Sequence, residues 1–118
     1  DILFTGRLAD ADLAEVLASA EALCLVSHFE GFGIPIIEAF ACETAVICAN
    51  NTAMPEITGE AALLVDSRNT ESIAKAMQQM EKVDLQSELI QKGKVQLQKF
   101  SWQKAAEVMW DSIQKSLN

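Results

Sequence analysis

The sequence has no tyrosine, one histidine, two prolines and three cysteines. A single imidazole, His28, excludes a metal centre built on several histidines. Cys24, Cys42 and Cys48 are an odd number and contain no C-x-x-C pair, which excludes a disulfide scaffold and points to a reducing, cytoplasmic setting. Each sits in an apolar stretch, as in Leu23-Cys24-Leu25 and Val46-Ile47-Cys48, so each is expected as a buried thiol acting as a small hydrophobe. Cations are scarce too. Nine Lys and Arg face seventeen Asp and Glu, and a net charge of −8 lacks the basic face that nucleic-acid binding requires. No apolar run approaches the ~18 residues of a membrane span, and Asp1-Ile2-Leu3 has no signal-peptide character. What is present is apolar material, 50% of 118 residues, enough for one core. The chain opens directly on an apolar run without an initiator Met, which reads as a cut inside a longer protein.

Apolar periodicity alternates between short runs and helical spacing. Ile2–Thr5, closed by Gly6, suits a buried strand, and Asp10 or Asp12 can cap a helix carrying Leu13, Val16, Leu17 and Ala20. Ala22–Ser27 is a continuous run, as expected for a strand covered on both faces. Pro35 stands where an N1 proline would, opening a helix through Ile36, Ile37, Phe40 and Ala41. Ala45–Ala49 is a third strand, Asn50-Asn51-Thr52 a turn, Pro55-Glu56 a helical turn ending at Gly59, and Ala62–Val65 a fourth strand.

From there the pattern is helical. Thr70 or Asn69 can cap Ile73, Ala76, Met77 and Met80, with the two methionines packing inward. A second segment carries Leu85, Leu89, Val95 and Leu97, with Gly93 bending or weakening it, and the Glu- and Gln-rich stretch from Gln78 to Gln98 reads as a solvated face. Ser101 caps a last helix with Ala105, Met109 and Ile113, whose Trp102 and Trp110 serve either a core or a contact with another domain. The expected fold is therefore α/β: a Rossmann-like parallel sheet of about four strands with flanking helices, residues 1–66 forming a βα core and residues 67–118 a helical tail of one domain.

In such a sheet, ligands bind outside the carboxyl ends of the strands. The most distinctive such end runs from Ser27 to Ala39. Gly31 and Gly33 flank Phe32, so the backbone can lie close to a ligand, and the helix that follows directs free N–H groups and its positive dipole end at the same place. That combination binds phosphate without a side-chain cation. Glu30 in the loop and Glu38 about one turn into the helix are acceptors that would repel an anion unless they hold hydroxyl groups. A diphosphate between two sugars, a nucleotide-sugar, satisfies the whole arrangement. Arg7 is either a phosphate or base contact or a solvated loop cation, and His28 either approaches a sugar or is a half-buried loop residue.

Glu30-Gly31-Phe32-Gly33-Ile34-Pro35-Ile36-Ile37-Glu38-Ala39 resembles the E-x7-E segment of glycosyltransferase family 4, retaining enzymes of the GT-B fold. Asn51 to Gly59 is similar to the family's P-E-x-x-G turn, Phe4-Thr5-Gly6-Arg7 with Asp12-Leu13 to its preceding strand and helix, and Phe100-Ser101-Trp102 to the start of its last helix. The resemblance implies that Glu30 contacts the transferred sugar and is the catalytic-site carboxylate, though not a nucleophile. Gly31, Phe32, Gly33 and Ile34 would line the donor sugar and diphosphate, Glu38 would hold the ribose, and the Gly6-Arg7-Leu8 loop would lie beside the base. It implies no metal and no cofactor, with the nucleotide-diphosphate sugar as substrate, in glycan or glycolipid synthesis by a cytoplasmic protein that is free or peripheral at the inner membrane face.

The sequence departs from the pattern in places. Cys42-Glu43-Thr44-Ala45 replaces a usual C-G-T-P corner, so a positive φ at Glu43 would cost about 1 kcal/mol. Two earlier strands, their basic diphosphate contacts and the N-terminal acceptor domain have no counterpart. Ile2–Thr5 is then expected either to pair directly with Ala22–Ser27 or to leave an exposed, self-associating sheet edge. Two function classes follow: the donor-binding part of a glycosyltransferase, or a non-catalytic interaction module derived from one.

Overall fold

Five consecutive apolar residues, Ala45–Ala49, form the central strand of a three-stranded parallel sheet, and all five are buried. The computed structural model describes residues 1–117. Its elements run α1 (Asp10–Ser19), β1 (Ala22–Leu25), α2 (Ile34–Ala41), β2 (Ala45–Ala49), α3 (Met54–Thr58), β3 (Ala62–Val65), α4 (Thr70–Met80), α5 (Val83–Leu97) and α6 (Trp102–Leu117). The strands lie in the order β1-β2-β3, with Leu23 opposite Val46 and Ile47 opposite Leu63. Alternation along β2 feeds two cores. Val46 and Cys48 join Ile36, Ala39 and Phe40 of α2 and Met54 and Ile57 of α3 on one face. Ala45 and Ile47 meet Ala76 and Met80 of α4 and Leu89 of α5 on the other.

Helix α5 serves both faces. Leu85, Leu89 and Ile90 pack into the second core, while Leu97 and the following Phe100 pack against the first. It is one continuous helix of 15 residues, so Gly93 does not interrupt it. Gln96, within the stretch expected to be solvated, is only 7% exposed, and its Nε2 donates to the Ile57 carbonyl at 2.8 Å. Burial of that amide is tolerated because it is hydrogen-bonded at both ends, Oε1 accepting from Lys99 Nζ at 2.7 Å.

The architecture expected from the sequence is present, with corrections. The sheet has three strands, not about four: Ile2, Leu3 and Phe4 are 86%, 86% and 92% exposed, belong to no strand, and do not pair with β1. A strand exists only by pairing, and an apolar run with no partner in reach stays extended and solvated. For the same reason β1 is an edge strand. The helix on that face, α4, packs over β3 and β2, so Cys24 is exposed rather than buried, and Cys42 is intermediate. Cys48 is buried as expected, and desolvation pushes its thiol up to about 11.

Local signals also need adjustment. Ala9, not Asp10 or Asp12, is the N-cap of α1, so these carboxylates act through the helix dipole in the first turn. Asn69 caps α4 by accepting from the Ser72 N–H at 3.1 Å. Met80 is buried but Met77 is half exposed. In α6 no residue is buried; Trp102 and Trp110 are 87% and 60% exposed, so neither belongs to the core.

At the α2–β2 corner Glu43 has φ 57°, the left-handed conformation in which a non-glycine residue costs about 1–2 kcal/mol. Its pair with Lys94 Nζ at 2.9 Å is partly exposed and offsets little of this. Glu43→Gly is expected to raise stability by about 0.5–1 kcal/mol, read as an increased urea midpoint at constant m-value.

Candidate functional site

The loops leaving the carboxyl ends of β1, β2 and β3 are tied to one another by side chains. After β1, the Ser27 hydroxyl donates to Glu30 Oε1 at 2.8 Å, and the Glu30 N–H donates to Thr52 Oγ1 at 3.3 Å. Asn51, after β2, donates from Nδ2 to the Ser27 carbonyl and to Ser67 Oγ, each at 3.4 Å. His28 is exposed, with Nδ1 3.1 Å from the same Ser67 hydroxyl. Glu30 is thus half-buried and held from two sides, with Oε2 free of any side-chain bond among the described residues.

Gly33 is the hinge between this loop and α2. It has φ 97° and ψ 50°, and a Cβ there would lie 3.2 Å from Ile36 Cδ1, so the position suits glycine on both backbone and packing grounds. The helix begins at Ile34, with Pro35 second and lacking an N–H. The Ile36 N–H turns back to the Gly33 carbonyl at 2.9 Å. Those of Phe32, Gly33 and Ile34 have no protein partner among the described residues, and they stand at the positive end of the α2 dipole. Phe32 is seated edge-on against Phe100, ring centroids 5.7 Å apart, which anchors the glycine-flanked loop to the end of α5.

The structure distributes the other expected residues around this centre. Glu38 is exposed and lines a groove of about 160 Å³ between α1 and α2, with Asp10, Leu13, Leu17 and Cys42. Gly6 and Arg7 are exposed and Leu8 half-buried on the segment entering α1, with Gly6 at φ 65°. They make no side-chain hydrogen bond to Glu30 or Glu38 among the described residues. A second concavity, of about 500 Å³, lies beside Thr58–Ala61 and α5, at the amino edge of the sheet. It is a broad surface depression that none of the loop residues just described lines, and volume alone does not outweigh the convergence of polar groups at the carboxyl edge. Asn51, Thr52 and Ser67 were not among the residues singled out in the sequence. An Asn-Asn-Thr run signals only a turn, and their partners lie far away along the chain.

Fold and loops together define a Rossmann-like α/β domain whose hydrogen-bonded polar side chains gather at the carboxyl edge of a parallel sheet. The chain belongs to the glycosyl transferases group 1 family, whose model matches residues 1–96. It is 35% identical over 103 residues, 86% of this chain, to an O-antigen chain mannosyltransferase B of Escherichia coli. It is 34% identical over 114 residues, 90% of this chain, to an MMP alpha-(1->4)-mannosyltransferase of Mycolicibacterium hassiacum. A D-inositol 3-phosphate glycosyltransferase of Rhodococcus opacus is 33% identical over 114 residues, 94% of this chain. The match covers 27%, 27% and 26% of those proteins, so the chain spans about a quarter of the length of such relatives. No helix among the described residues is long and apolar enough to cross a membrane.

Proposed function

We propose that the chain is the donor-binding part of a retaining family 4 glycosyltransferase of the GT-B fold, moving a hexosyl group from a nucleotide-diphosphate sugar to an acceptor in glycan or glycolipid synthesis. The observation that carries this reading is the set of unpaired N–H groups at Phe32, Gly33 and Ile34, flanked by the Glu30 and Glu38 carboxylates, within a glycosyl transferase family. The N–H groups and the α2 end meet the diphosphate, and each such bond to a charged phosphate is worth about 1.5–3 kcal/mol. Glu30 accepts hydroxyl bonds from the sugar and Glu38 from the ribose, while the Gly6-Arg7-Leu8 loop borders the base.

As the bond from the anomeric carbon to the diphosphate oxygen breaks, these donors stabilise the charge developing on the leaving group. The acceptor oxygen bonds to the same face of that carbon, and its proton passes to the departing phosphate. Glu30 orients the sugar and forms no covalent bond. The chain is acidic, at −8, so the cations that complete the diphosphate site, like the acceptor domain, belong to parts of the protein beyond these residues. The open edge of β1 is the surface for the missing strands or, in the isolated piece, for a second copy.

Calorimetric titration of the full-length protein with UDP- and GDP-sugars tests the reading. Saturable binding of one nucleotide class is expected, and no binding of either at millimolar ligand would falsify it.

A further inference from the structure

We infer that Asn51 and Thr52 are positioning residues that hold Glu30 for the sugar, and so set the preference of the site for a nucleotide-sugar over the bare nucleoside diphosphate. The inference rests on the proposed role of Glu30. Thr52 is β-branched yet has φ 49°, a conformation that costs such a residue about 1–2 kcal/mol and persists only where its surroundings impose it. What the conformation secures is a closed ring of hydrogen bonds. The Thr52 hydroxyl accepts from the Glu30 N–H at 3.3 Å and donates to Asn51 Oδ1 at 3.3 Å, using its one proton and a lone pair at once. With Oδ1 so engaged, the Asn51 amide turns Nδ2 toward the Ser27 carbonyl at 3.4 Å. Ser27 in turn donates its hydroxyl to Glu30 Oε1 at 2.8 Å, which closes the ring.

Three of these bonds are long and individually modest; closure is what restrains both the backbone and the carboxylate of Glu30. A second link, from Asn51 Nδ2 to Ser67 Oγ at 3.4 Å, fixes the ring to the loop after β3. Of the groups assigned to the ligand in the proposed function, the ring bonds only to Glu30. Glu38 and the Ile34 N–H stand on α2, and the Phe32 and Gly33 N–H groups, on the loop just before it, make no hydrogen bond to the ring. Loosening the ring therefore weakens recognition of the sugar and leaves the nucleotide contacts in place.

The test compares GDP-mannose with GDP, and UDP-glucose with UDP, by calorimetry on the full-length protein and on Thr52→Val, Thr52→Gly and Thr52→Ser. Thr52→Val and Thr52→Gly should lose about three- to tenfold in affinity for the sugar nucleotide that binds, with the matching diphosphate unchanged, and Thr52→Ser should restore the preference. Thr52→Gly should also melt higher than the parent, since it relieves the backbone while losing the hydroxyl. A merely structural role would move stability and sugar preference in the same direction. Equal losses for sugar nucleotide and diphosphate, or a parental preference in the Val and Gly variants, would overturn the inference. Failure of the parent protein to bind any of the four ligands would instead overturn the proposed function on which it rests.

Discussion

Gly93→Ala is expected to destabilise the domain by about 1–3 kcal/mol, although alanine in a helix interior ordinarily stabilises by about 1 kcal/mol over glycine. An added Cβ at this position would meet Phe40 Cδ1 at 2.7 Å, with Cε1 at 3.2 Å and Cγ at 3.3 Å. The ring cannot swing aside, because Phe40 is buried among Ile36, Val46 and Ile57 in the first core. The two helices must then separate, or the ring must leave its rotamer, and either loosens the contact by which α5 reaches that face. Urea denaturation measures the loss. Pairing the substitution with Phe40→Leu should recover part of it, giving a coupling energy of about 0.5–3 kcal/mol. Gly31→Ala is the control, since nothing lies within 4 Å of a Cβ there. A Gly93→Ala protein as stable as the parent would show that α5 does not depend on close approach at this point.

The second large effect concerns the ligand. If Glu38 holds two ribose hydroxyls, Glu38→Ala should weaken nucleotide-sugar and nucleoside diphosphate alike by about ten- to a hundredfold, the range for hydrogen bonds to a charged group. The residue is exposed on the groove between α1 and α2 and makes no side-chain hydrogen bond within the described protein, so its removal should leave the unfolding midpoint nearly unchanged. Equal loss with and without the sugar distinguishes this carboxylate from Glu30, whose effect should appear only with the sugar present. Unaltered binding in Glu38→Ala would remove the residue from the site.

What could be read from the sequence was whatever depends on near neighbours along the chain. Ala45–Ala49 and Ala62–Val65 declare themselves as strands by continuous apolarity, Asn69 as a cap by its place before α4, and the opening of α2 by the glycine and proline around it. The conditional cost at Glu43 was legible because the family corner there carries glycine, and the φ of 57° meets the condition. The candidate ligand groups at Glu30, Gly33 and Glu38 were likewise local, carried by one continuous segment. Features that depend on distant partners were not legible. Ile2–Thr5 has the composition of a strand, but composition supplies no partner. Cys24 sits in a run identical in character to that of Cys48, and only the sheet order makes one an edge and the other a centre. Gly93 and Gln96 looked like a defect and a solvated residue because Phe40 and Ile57, which explain them, are remote in sequence. The Asn51–Thr52 ring was hidden for the same reason.

The contact between Phe32 and Phe100 bears on where the unit ends. The family model's match stops at residue 96, about one turn short of Phe100. A boundary drawn there would keep every strand and both carboxylates, yet remove the ring that seats the glycine-flanked loop, together with Leu97, which packs against the same core. Conversely, α6 buries nothing, so a protease should trim it readily and stall near Phe100. The smallest piece able to present the α2 end in its observed shape therefore extends beyond the segment that the family model matches, and its terminus is set by an aromatic contact.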